Sequence, residues 1–74
     1  MKGFKAMLAS DVADRDGIGV ELYDPDGQIL MEVFRDDRTE DISVWVRSEM
    51  QLPLDVLTWF LAEARSSLQV PDAR

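Results

Sequence analysis

Two tetrapeptides in this chain have the residue types of a calcium-binding turn. They are Asp14-Arg15-Asp16-Gly17 and Asp24-Pro25-Asp26-Gly27. Calcium takes about six to eight oxygens, and an EF-hand-like loop continues with ligands near positions five and twelve, the last a bidentate Glu. Counted from Asp14, those positions hold Ile18 and Pro25; counted from Asp24, they hold Gln28 and Arg35. Neither register supplies the oxygens. Asp and Gly also form turns without any ion, Asp by accepting from its own following amides and Gly by tolerating positive φ. The expectation is two turns, no metal and no cofactor.

Other chemistry is equally hard to assemble. The chain has neither histidine nor cysteine, so the usual general base, the soft nucleophile, and most zinc, iron and copper sites are missing. A pair of carboxylates can still act as acid and base. That requires a cleft able to shift their pKa values, and 74 residues leave little room for one. The chain is therefore read as non-catalytic.

The acids are not spread evenly. Residues 10–41 hold eleven acids and three bases, a balance of −8, while the remainder is close to neutral and the whole chain carries −7. In an up-and-down meander the first and third turns share one end of the sheet. That topology gathers Asp14, Asp16, Asp36, Asp37, Glu40 and Asp41, with Arg15, Arg35 and Arg38 among them. A basic protein partner or a weakly held cation suits such an end, although a solvated, partly self-paired surface accounts for it without either. The same charge argues against a phosphate backbone as ligand.

The elements that position these residues follow from periodicity. Ile18–Tyr23 alternates apolar and polar, Asp24–Gly27 is a type I turn signal, and Gln28–Phe34 is apolar on both faces except at Glu32. Asp36–Asp41 is too polar for burial and reads as a loop. Ile42–Arg47 alternates again, with Ile42, Val44 and Val46 on one face and Trp45 on the other. Residues 4–13 read as a strand, with a short helix the competing reading. Pro53 opens a helix ending near 67–69, in which Val56, Leu57, Phe60, Leu61, Ala64 and Leu68 form one stripe. Residues 1–70 make one α+β domain of order β-β-β-β-α, a small antiparallel meander packed against a C-terminal helix, and 71–74 a frayed tail. No segment has the length of a signal-peptide core or of a membrane span. The lack of cysteine suits a reducing cytoplasm.

The four-strands-then-helix order resembles, in topology, the single-stranded-DNA-binding transcriptional coactivators and the Whirly proteins. That resemblance implies single-stranded nucleic-acid binding, with Tyr23, Trp45 or Phe34 stacking on bases. Those families present basic strands to nucleic acid, whereas the sheet region here carries −8.

The apolar residues left over point toward protein contacts. Trp59 falls on the polar side of the helix and Trp45 on the strand face opposite Val44. In the register that puts Ile29, Met31 and Val33 under the helix, Leu30 and Phe34 face outward; the alternative register reverses this, and either leaves an apolar set on the second face. So short a chain without disulfide or metal has a thin core, and Trp is enriched at interfaces. The sequence is therefore read as a small acidic interaction domain forming a homodimer, with Trp45, Trp59, Leu30 and Phe34 as interface candidates. The contact is expected through the second sheet face, the polar edge of the helix, or both.

Overall fold

A computed structural model of the protein describes residues 3–11 and 16–68, with the backbone alone for residues 10 and 11. It is an α+β fold: strands β1 (Lys5–Asp11), β2 (Gly17–Tyr23), β3 (Ile29–Asp36) and β4 (Ile42–Val46), then helix α1 (Leu54–Leu68). The sheet order is β1-β2-β3-β4 and every neighbouring pair is antiparallel. Asp14, Arg15 and the tail 71–74 lie outside the described residues.

The central hairpin forms as its turn residues dictate. The amide of Gly27 donates to the carbonyl of Asp24 at 3.0 Å, and Gly27 takes the positive φ of 88° that follows a type I turn. Asp24 Oδ1 accepts from the amides of Asp26 and Gln28, both at 2.9 Å. This carboxylate thus builds the turn in which it sits. One irregularity was not legible in the sequence. Leu22 pairs with Met31 but Tyr23 pairs with Ile29, so Leu30 is an extra residue on β3. Such a bulge re-aims a side chain, and Leu30 joins the core instead of alternating to the other face.

Val20, Leu22, Met31 and Val33 present one face of the sheet to Val56, Phe60, Ala64 and Leu68 of α1. The buried helix positions recur every fourth residue, a narrower stripe than the sequence pattern suggested; Leu57 is half-buried and Leu61 is exposed. The helix backbone runs nearest β2 and β1, while its buried side chains also reach Met31 and Val33 of β3. Arg35 ties its far end to the sheet: Nη1 donates to the carbonyl of Leu68 at 2.7 Å, placing a cation where the helix dipole favours one.

Candidate interaction surface

The width of a helix decides which part of the sheet stays open. Four strands about 4.8 Å apart form a surface wider than one helix of about 10 Å. A single helix therefore covers about two strands: α1 buries Val20 and Leu22 of β2 and Met31 and Val33 of β3, with its backbone leaning toward β2 and β1 and away from β4. On the uncovered side every residue of β4 is exposed. Ile42, Val44 and Val46 do lie on the helix face of the sheet, opposite Arg35, Val33 and Met31, yet among the described residues none buries them: Val44 keeps 52% of its surface in water. Leu61 borders this strip from the helix side and is 37% exposed. Between strip and helix runs a groove of about 140 Å³, lined by Val33, Ile42, Val44, Leu61, Ala64 and Arg65. That is below the ~300 Å³ at which small-molecule sites begin and fits a side chain or two.

The four interface candidates end up in different places. Trp45 stands on the opposite face of β4 and is 48% exposed, beside a shallow hollow it shares with Gln28, Ile29 and Arg47. Trp59 is half-buried against the core and works as a cover for it. Leu30 and Phe34, expected to face outward, are 7% and 6% exposed. For Leu30 the reason is the bulge. For Phe34 it is glycine: the ring lies over Gly17, where a Cβ would come within 2.6 Å of Phe34 Cζ and would also meet the Arg35 carbonyl. Gly19 likewise leaves space for the Glu32 carboxylate. The second face is thus filled by residues of β3 lying across a glycine-bearing β2. The pattern Gly17-x-Gly19 opposite Phe34 was the available signal, because a strand glycine often marks such close approach.

Polar groups complete that face. The Tyr23 hydroxyl donates to Glu21 Oε1 at 2.7 Å. This bond to a carboxylate, with the nearby negative charge, holds the Tyr23 pKa above its ordinary 10.0.

At the acidic end, the amide of Asp37 donates to the carbonyl of Asp16 at 2.8 Å, which joins the first and third turns as the meander topology requires. Asp36 Oδ1 accepts from the amides of Arg38 at 2.8 Å and Thr39 at 3.3 Å. The Arg38 amide is the main reason the Asp36 pKa lies below its ordinary 3.8. Arg38 Nε also lies 3.7 Å from Asp36, and Arg35 Nη2 3.6 Å from Asp37. Much of the charge is used within the loop. Glu40 and Asp41 are exposed, and among the described residues no group of three or more Asp or Glu is placed to hold a metal ion.

Sequence reasoning missed Ile42, Val44, Val46 and Leu61 as surface residues. Their periodicity was read as core-facing, and the faces are right, but α1 is too narrow to reach them. Comparison with protein-family models, with curated proteins and with solved structures found no match to this chain.

Proposed function

We propose that this is a non-catalytic interaction domain that self-associates through the open side of its sheet, around β4 and the neighbouring edge of α1. The observation that carries the reading is the contiguous apolar strip of Ile42, Val44, Val46 and Leu61, exposed on an edge strand that holds no charged residue. Exposed apolar residues scattered singly are ordinary, but a contiguous strip on a sheet edge is a contact site. The surface differs from the one expected from sequence, because Leu30 and Phe34 are buried within the single chain and Trp59 covers the core. Trp45 stays in the candidate surface.

The test is light scattering coupled to gel filtration at tens of micromolar protein. The expected result is a dimer mass that falls toward the monomer on dilution. A monomer mass throughout that range contradicts the reading.

A further inference from the structure

We infer that two copies of this chain pair β4 to β4, antiparallel about a two-fold axis through Val44, joining their sheets edge to edge. This rests on the self-association proposed above and fixes its geometry.

Backbone direction gives the first support. The amide of Arg47 donates to Leu30 and the carbonyl of Asp41 accepts from Asp36, both at 2.9 Å. Residues 41 and 47 therefore turn their backbone polar groups inward, toward β3. In an antiparallel strand this direction alternates, so Ile42, Val44 and Val46 turn theirs outward, to the free edge. A two-fold at Val44 sets Val44 against Val44 of the partner subunit and Ile42 against Val46 of the partner subunit. Each of these pairs joins residues whose amides and carbonyls both point outward, so each exchanges two hydrogen bonds. A two-fold at Ser43 or Trp45 also sets outward residues against each other, Ile42 with Val44 or Val44 with Val46, but forms two such pairs within the strand where the two-fold at Val44 forms three.

Side chains select the same register independently. The segment reads Asp41-Ile42-Ser43-Val44-Trp45-Val46-Arg47, with opposite charges equally spaced about Val44. In this pairing Asp41 lies opposite Arg47 of the partner subunit, once at each end. Both side chains are exposed and lie on the same sheet face as Trp45. Opposite charges directly across a strand pair favour it and like charges oppose it. On the helix face, Ile42 packs beside Val46 of the partner subunit, and the two grooves along Leu61 meet in one trough. A contact of this type is isologous and closes at two copies.

Charge exchange tests the register. Asp41→Arg places Arg beside Arg47 of the partner subunit at both ends and is expected to weaken the dimer about tenfold, as read by sedimentation equilibrium. Asp41→Arg combined with Arg47→Asp restores the opposite pairing and the affinity. Val44→Pro removes an outward amide that β3 does not use, a position where an edge strand accepts proline, and is expected to give a folded monomer by circular dichroism. If the chain dimerises but neither Asp41→Arg nor Val44→Pro changes the mass, this register is overturned while self-association stands. If the wild-type chain is a monomer, the function reading fails and the register with it. A mass that grows without limit on concentration indicates β4 pairing head-to-tail with β1, and overturns the two-fold.

Discussion

The two edges of the sheet, β1 and β4, face the same hazard with different residues. Among the described residues each leaves one row of backbone groups without a strand beside it. β1 begins at Lys5 and ends at Asp11, and lysine on an edge strand is a common guard against pairing. Its exposed apolar residues, Met7 and Leu8, lie on opposite faces, across from Glu21 and Val20. β4 has its charges just outside the strand, at Asp41 and Arg47, and Ile42, Val44 and Val46 share one face that continues into Leu61, with Trp45 on the other. The helix adds to the asymmetry by packing toward β1 and β2. An edge can therefore be exposed without being adhesive. What suits β4 to the proposed contact is the combination of no internal charge, one exposed apolar face and little cover among the described residues.

Giving β4 the guard that β1 has produces the largest expected effect. Val44→Lys sets two lysines side by side in the proposed pairing and is expected to weaken self-association by on the order of a hundredfold. Light scattering should then report a monomer with unchanged circular dichroism. A Val44→Lys protein that remains a dimer at micromolar concentration breaks the comparison.

The second face should respond in the opposite sense. Phe34→Ala removes a ring buried within the single chain and is expected to lower unfolding stability by about 3 kcal/mol in urea titrations. The dissociation constant of the folded dimer should change little. If Phe34→Ala instead dissociates a stably folded protein, the contact lies on the second face.

A smaller effect is expected where the loop 36–41 anchors the start of β4. The folded pKa of Asp36 is lowered. Its charged form therefore stabilises the fold at pH values above the ordinary 3.8, and that contribution is lost as pH falls through the lower folded value. Asp36→Ala should be less stable than wild type at neutral pH, and the gap in urea midpoint should narrow in acid. A gap that widens on acidification reverses the assigned sign.

The smallest expected effect is none at all. With −8 across residues 10–41, single-stranded DNA should give no saturable fluorescence-polarisation signal at physiological salt, with wild type or with Trp45→Ala. Micromolar binding with a clear salt slope would show the open edge to be a nucleic-acid surface.

Strand order, the Asp24–Gly27 turn and the helix were legible in the sequence because each rests on local chemistry: period-two alternation, a proline and glycine in turn positions, a proline at the helix start. The side of the sheet left open was not. Alternation places Ile42, Val44 and Val46 on the helix face but does not say how far a helix reaches across that face. The burial of Leu30 depends on a pairing shift between two strands, and that of Phe34 on glycines in a neighbouring strand. Both are cross-strand facts that no single segment announces. The opposite charges spaced evenly about Val44 were present in the sequence, but they acquire meaning once β4 is known to be an edge.

Amide hydrogen exchange followed residue by residue at two protein concentrations tests the β4 pairing most directly. The amides of Ser43 and Trp45 face β3 and should be protected at both concentrations. Those of Ile42, Val44 and Val46 should be protected at high concentration and lose that protection on dilution. If these three exchange at the rate of open chain at every concentration while the protein is a dimer, β4 is not the interface.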